Sequence, residues 1–448
     1  MWSFGLAAFL GAFVSSVAAL NAVEVYGNKF FNKDGSQFFM KGMSQATCTV
    51  DLGIAYQLRP NDPLIDTEQC KRDVKLMEEL GTNTLRVYHV DADANHDGCM
   101  STFADAGIYL LIDLDTFDTY ILPENLYWNQ TQFKKYAEVI DTFHDYDNVL
   151  GFFVGNENIA AKEESIAAPY LKAAARDLKA YRDEKGYRKI PIGYSAADIK
   201  ELRPMLQDYL TCGGNSSEII DFFGLNSYSW CDPSTFNESS YNELQEYAKD
   251  FPVPIFFTET GCNVPGPRLW DDQDAIFGPE MVNDWSGSIV YEWIQEQNHY
   301  GIISYGQDGE GSPDFFDGWM RKGTPSPVSP DFNNLKTKWA SINPTGVSKK
   351  DYNTDHVSTR KCPAPTGDGW WEVNGNVVLP TLGQTHQGTY STQASATADP
   401  SDNAPQPTES SSENKDNGDD KDGAAGTQQM AAFGASLAIG IFVLALWL

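Results

Sequence analysis

Between residues 38 and 308 the chain alternates short, nearly continuous apolar runs with longer segments whose apolar positions recur at helical spacing. The runs are FFMKGMSQ (38–45), TLRVYHV (84–90), IYLLIDLD (108–115), VLGFFVGNE (149–157), KIPIGYSA (189–196), DFFGLNSY (221–228) and PIFFTET (254–260). Between them the spacing predicts helices from Asp66 or Thr67 through Leu80, near 97–106, from Gln132 to Tyr146, and over 163–185, where Tyr170, Leu171, Leu178 and Tyr181 recur. Apolar strands separated by helices imply a parallel sheet covered on both faces. Seven such units need an eighth to close. SGSIVYEW (286–293) and GIISYGQD (301–308) compete for that place, and the first is favoured because it leaves the second as a hairpin over the barrel mouth. An open doubly wound sheet is the competing architecture, but no GxGxxG turn follows the first strand. The expected fold class is α/β, a (β/α)8 TIM barrel.

Two of the runs end on a glutamate, Glu157 in VLGFFVGNEN and Glu259 in VPIFFTETGC. Barrels carry their catalytic groups at the carboxyl ends of strands, and a retaining glycosidase holds two carboxylates about 5 Å apart across the bond it breaks. Glu157 ends the fourth strand and Glu259 the seventh, on opposite sides of one mouth. A lone glutamate at a strand end is more often a solvated turn carboxylate. Two in matching contexts, one preceded by Asn156, favour a paired site. The acid must hold a proton at working pH while the nucleophile stays ionised. Glu157 is assigned as acid/base and Glu259 as nucleophile, with Asn156 reaching a sugar 2-hydroxyl. Gln45, Arg86, Tyr88, Asp113, Asp115, Asn226, Tyr228 and Tyr291 fall on the same rim. Asp113 and Asp115 alternate across a strand, so one of them faces inward. Arg86 beside Glu259 would hold its pKa down.

The ends of the chain have a different composition. Residues 1–22 are apolar and small, with candidate cleavage positions after Ala19 or Ala22, as in a secretory signal peptide. The barrel is expected over 23–345, followed by a post-barrel segment over 346–379. Residues 380–417 are rich in Ser, Thr, Asp and Pro and lack apolar periodicity, so they read as a disordered, O-glycosylated tether. Residues 418–448 combine a polar spacer with a terminal apolar tail, the arrangement of a removed GPI-attachment signal. Asn417 is the expected attachment site and Gly423 the alternative. Sequons at Asn129, Asn215 and Asn237 fit a secreted glycoprotein. A net charge of −30, from 62 acidic against 32 basic residues, excludes nucleic acid as a partner and suits a neutral polymer. Seven cysteines in a secreted chain imply disulfides with one left over. Their spacings form no zinc pattern, so neither metal nor cofactor is expected. Only Cys362 follows Cys262, so no Cys-rich module is expected.

Taken together, YGNKFF (26–31), LRVY (85–88), AGIYLLIDL (106–114), VGNE (154–157), GLNSYSWC (224–231), FTETGC (257–262), WSGSIVYEW (285–293) and NHYGI (298–302) form a specific set. With these motifs the chain resembles the fungal GPI-anchored β-1,3-glucanosyltransferases of the Gas/Gel/Phr group, glycoside hydrolase family 72, in the shorter form. The resemblance implies a β-1,3-glucan donor and acceptor, transfer by a retaining mechanism, and a monomer on the outer face of the plasma membrane or in the wall. It implies the same roles for Glu157 and Glu259, and sugar contacts from Gln45, Tyr88, Asp113, Asn156, Tyr228, Tyr291 and Tyr300. It also implies disulfides Cys70–Cys99, Cys212–Cys362 and Cys231–Cys262, leaving Cys48 unpaired. The chain departs from the usual pattern at Thr260, where an aromatic beside the nucleophile is commoner, and in the loop DTFDTYILPEN (115–125). A retaining endo-β-1,3-glucanase and a non-catalytic wall-binding barrel are the competing functions.

Overall fold

The computed structural model describes residues 20–45, 48–51, 57–60, 62–116, 118–357 and 359–384. Most of the expected signal peptide, nearly all of the tether, the GPI signal and Asn417 lie outside the described residues, as does the side chain of Cys48. Eight parallel strands close into a barrel: β1 (Met40–Gln45), β2 (Thr84–Val87), β3 (Tyr109–Asp113), β4 (Val149–Asn156), β5 (Ile192–Ala197), β6 (Phe223–Asn226), β7 (Ile255–Thr260) and β8 (Trp285–Val290). Each pairs with its neighbours in chain order, and β8 returns to β1 through Gly287↔Met40 to Val290↔Met43. SGSIVYEW therefore supplies the closing strand. Ile303–Ser304, in the competing segment, pairs instead with Ser326–Pro327 outside the barrel.

The helices follow the same logic. Helix α1 (Thr67–Leu80) begins where the Asp66 side chain accepts from the Gln69 N–H and ends at Gly81, whose φ of 79° suits glycine. Helices α2 (Asp97–Asp105), α3 (Gln130–Phe143) and α4 (Ala168–Glu184) lie within a few residues of the expected spans. Helices α5 (Arg203–Thr211), α6 (Tyr241–Ala248), α7 (Asp271–Ile276) and α8 (Asp331–Ser341), absent from the expected set, complete the ring.

Two apolar cores flank the strands. The larger lies between barrel and helices. The smaller fills the lower barrel with Met40, Leu111, Phe153, Phe256 and Ile289, and Phe30 from an amino-terminal hairpin (Glu24–Tyr26 with Lys29–Phe31) closes it from below. Close approach inside the barrel needs glycine: a Cβ on Gly224 would sit 2.2 Å from Thr258 Cγ2.

Beyond the barrel the chain wraps back over it. Cys362 bonds to Cys212, the Glu372 N–H donates to Ser165 Oγ at 3.0 Å, and Trp371 is fully buried beside Tyr209. Packing continues past residue 379, where the tether was expected to begin, since Arg176 donates to the Pro380 carbonyl and the Gly383 N–H to that of Trp128. The other disulfides are Cys70–Cys99, joining α1 to α2, and Cys231–Cys262. Among the described residues no helix is long and apolar enough to cross a membrane.

Asn215 and Asn237 are exposed, whereas Asn129 is half-buried and caps α3: its Oδ1 accepts from the Thr131 and Gln132 N–H groups, and Gln132 Oε1 accepts from the Asn129 N–H. Asn129→Ala is expected to lower stability by about 1 kcal/mol. Thr131→Ala, which destroys the same sequon but keeps the cap, should leave the unfolding midpoint near that of the deglycosylated parent. Urea unfolding of both variants checks this, and equal losses would refute the cap.

Candidate active site

Strand alternation aims Arg86, on β2, into the barrel above the apolar plug. It is fully buried, and its guanidinium lies 4.6 Å from the Phe153 ring centroid and 4.3 Å from that of Tyr88. Its Nε and Nη2 donate to the two oxygens of Asp113, at 3.2 and 2.9 Å. Nη2 also reaches Asn156 Oδ1 at 2.8 Å, and Nη1 reaches Glu259 Oε1 at 3.3 Å and Ser195 Oγ at 3.2 Å. Burial alone would depress this cation, but Asp113, Tyr88 and Glu259 raise its pKa, so it stays charged. Burial pushes the Asp113 carboxyl up to about 6 against the pull of Arg86, which leaves the pair ionised at neutral pH.

Glu259, on β7, is 7% exposed and lies at the floor of the mouth. Beyond Arg86 it accepts from Tyr88 OH at Oε1 and Tyr228 OH at Oε2, both at 2.7 Å. Burial and the carboxylate beside them hold both phenols far above their ordinary pKa, so each remains a donor. The Cys231–Cys262 disulfide joins the segment after Tyr228 to the end of β7, which keeps donor and acceptor together.

Glu157 lies one residue past β4, at a φ of 51°, in the left-handed region that non-glycine residues seldom occupy. The turn redirects its side chain over the mouth, where Asn226 Nδ2 donates to Oε1 at 3.0 Å. Among the described residues no cation bonds to it, and Arg86 acts on it only at a distance. Burial first and the Glu259 charge second raise its pKa to about 7. Asn156 Oδ1 is occupied by Arg86 and Asn226, which turns its NH2 group toward the opening. The mouth thus holds one carboxyl that keeps a proton near neutrality and one carboxylate pinned by three donors. Such a pair can deliver a proton and a nucleophile to opposite ends of one acetal bond.

Tyr228, Tyr291 and Tyr300 form a ring cluster above Glu259, with centroids 5.4–6.3 Å apart, and Tyr88 lies 6.5 Å from Tyr291. Gln45 ends β1 on the same rim. Asp113 lies below the opening, 1% exposed and committed to Arg86. Asp115 is also buried, but past the strand, and its carboxyl oxygens have no hydrogen-bond partner among the described residues. Burial, then Asp113, raises its pKa well above the ordinary value. Thr260 does not stand beside the Glu259 carboxylate: a register shift in β7 between Phe257 and Thr260 breaks the alternation that keeps Phe256 and Thr258 inside, and Thr260 faces out, donating to Asp272 Oδ2 at 2.8 Å. Ser195 and Thr258, which hydrogen-bond Asn226 Oδ1 from β5 and β7, carried no signal in sequence because each is one small polar residue in an apolar run. Among the described residues no group of three or more metal-ligating side chains occurs.

A family profile described as glucanosyltransferase, glycoside hydrolase family 72, matches residues 12–343. The chain belongs to the glucanosyltransferase family. It is 40% identical over 361 residues to protein EPD1 of Candida maltosa and 36% identical over 363 residues to the 1,3-β-glucanosyltransferase GAS2 of Saccharomyces cerevisiae. These alignments span 80% and 79% of this chain but only 62% of each relative. A solved mutant of Saccharomyces cerevisiae Gas2p in complex with laminaritetraose and laminaripentaose is similar at a TM-score of 0.71 and 34% identity, covering 82% of this chain and 75% of that one.

The raised Glu157 pKa of this family member has a stability consequence. Between about pH 4.5 and about 7 the fold holds a proton that the unfolded chain has lost, so stability falls as pH rises through that window. Glu157→Gln is expected to match the parent near pH 4 and exceed it by on the order of 2 kcal/mol near pH 8. Denaturant unfolding at the two pH values checks the sign, and a pH-independent difference would contradict it.

Proposed function

We propose that this protein is a retaining β-1,3-glucanosyltransferase. The observation that carries the reading is the electrostatic contrast across one mouth: half-buried Glu157 accepts from the Asn226 amide and its pKa is raised, while Glu259 is held by Arg86, Tyr88 and Tyr228. In the first step a Glu259 oxygen attacks the anomeric carbon of an internal β-1,3-linked glucose. The glycosidic C–O bond breaks as Glu157 gives its proton to the leaving oxygen, which departs as the 3-hydroxyl of the released fragment. In the second step the 3-hydroxyl of an acceptor's non-reducing end attacks the glucosyl ester. Glu157 takes its proton, the ester bond breaks, and a new β-1,3 bond forms.

Arg86 and the two phenols hold the nucleophile in position. The Asn156 NH2 group is placed for the sugar 2-hydroxyl, a contact that strengthens as oxocarbenium character develops. The Tyr228, Tyr291 and Tyr300 rings supply apolar faces for pyranose rings. Transfer requires a bound acceptor to outcompete water, and the laminari-oligosaccharide complex of the Gas2p neighbour supports a β-1,3-glucan as the ligand.

We infer a secreted, wall-facing enzyme that acts as a monomer. Three disulfides support an oxidising compartment. The GPI-type pattern around Asn417 supports attachment to the outer face of the plasma membrane.

Incubation with reduced laminari-oligosaccharides decides between transfer and hydrolysis. Products longer than the substrate are expected, and shorter products alone would leave an endo-β-1,3-glucanase. Glu157→Gln and Glu259→Gln should each lower turnover by about a thousandfold or more while oligosaccharide binding persists. Full activity in either variant would refute the assignment, and lack of turnover in the parent would favour a non-catalytic glucan-binding barrel.

A further inference from the structure

A second acidic group lies behind the tyrosine cluster, outside the machinery described above. Glu292, two residues past β8, is 0% exposed. Its Oε1 accepts from Asn298 Nδ2 at 2.8 Å, while Oε2 is buried with no hydrogen-bond partner among the described residues. The bond to Asn298 is one strand of a short lattice around Tyr300. The Tyr300 N–H donates to Asn298 Oδ1 at 3.0 Å, and the Glu292 N–H donates to the Tyr300 carbonyl at 3.3 Å. Asn263, from the segment after β7, donates to the Asn298 carbonyl at 3.0 Å. Both backbone polar groups of Tyr300 are thus held by Glu292 and Asn298. Its ring packs on Tyr228 and Tyr291 at 5.5 and 5.4 Å.

The surroundings of Glu292 decide which form of it fits. On its own segment it faces Tyr291, Glu296 and Tyr300. From β7 it faces Glu259. Arg268, from the segment after β7, is nearby but is engaged with Asp331 and the Tyr291 carbonyl. Arg321, on the stretch before α8, bonds to Glu296 at 2.7 Å, and Asp317 in turn faces Glu296. Arg321 and Arg268 therefore favour the charged form of Glu292 from a distance, and the effect of Arg321 is smaller than those of burial and Glu296. Burial first and Glu296 second raise the Glu292 pKa well above the ordinary value. An ionised Glu292 would be a buried anion with one unpaired oxygen, a state relieved only by admitting water to the wall.

We propose that Glu292 is a positioning residue: through Asn298 it holds the Tyr300 segment against Tyr228 and Tyr291, and loss of its proton disengages that ring from the sugar-binding wall. The inference rests on the glucan-binding reading of the mouth. It places a titratable brace behind the tyrosines that is separate from the proton carried by Glu157.

The test measures binding of a laminari-oligosaccharide by calorimetry in the Glu157→Gln chain, which removes the titration of the acid/base and its turnover. The dissociation constant should rise about tenfold from about pH 6 to about pH 9, the loss of roughly one hydrogen bond's worth of binding. Adding Glu292→Gln, an uncharged isostere, should abolish that rise. Adding Asn298→Ala should weaken binding at both pH values. The proposal is overturned if the Glu292→Gln chain keeps the pH dependence of its parent, or if Asn298→Ala binds as tightly as its parent. Absence of elongated products while binding persists would remove the transfer reading and leave the binding measurement to decide Glu292. Absence of binding at either pH would remove both.

Discussion

One buried guanidinium organises the site. Arg86 has no route to solvent, so its charge must be met inside the barrel, and Asp113, Asn156, Ser195 and Glu259 meet it from four other strands. Phe153 below and Tyr88 above fix its plane. Its layer separates an apolar plug, where packing decides, from a mouth where electrostatics decides. Removing the cation would leave Asp113 and Glu259 as facing carboxylates without compensation. The barrel therefore depends on Arg86 for more than orientation of one carboxylate.

The division of labour between the two glutamates follows from that placement. Glu259 is within reach of the cation and of two phenols that stay protonated. Glu157 stands on the opposite rim with the Asn226 amide as donor, and the charge on Glu259 works against its ionisation. The same side-chain type thus carries two functions because its partners differ: a guanidinium and two phenols at Glu259, an amide at Glu157. The left-handed backbone at Glu157 belongs to the same arrangement, since an extended continuation of β4 would not turn the carboxyl over the opening. The Cys231–Cys262 bridge, the Tyr300 lattice and the strap that bonds Ser165 beyond Glu157 each secure one loop around this pair.

Much of the fold was legible in the chain. Seven apolar runs and the preferred eighth became the eight barrel strands, because a strand buried on both faces leaves a compact apolar signature whatever its neighbours are. Helices α5 to α8 were not read from the chain, and length alone does not set them apart, since the nine-residue α2 was expected. Alternation correctly left room for one of Asp113 and Asp115 in the barrel but did not say which. A register shift in β7, which alternation does not foresee, turns Thr260 toward α7 although it adjoins Glu259 in sequence. Asp113, grouped by resemblance with sugar-contacting residues, is held beneath the opening by Arg86.

The sequence by itself determined the architecture, the two strand-end glutamates and the polar residue types at the rim, because apolar periodicity and strand position are local properties of the chain. Only the tertiary structure decided which glutamate keeps a proton, which carboxylate Arg86 neutralises, and that Glu292 is buried behind Tyr300. Those outcomes depend on desolvation and on charges brought together from residues as far apart as 86 and 259, 259 and 292, or 157 and 226. Distance in space sets an electrostatic energy, and separation along the chain carries no record of it.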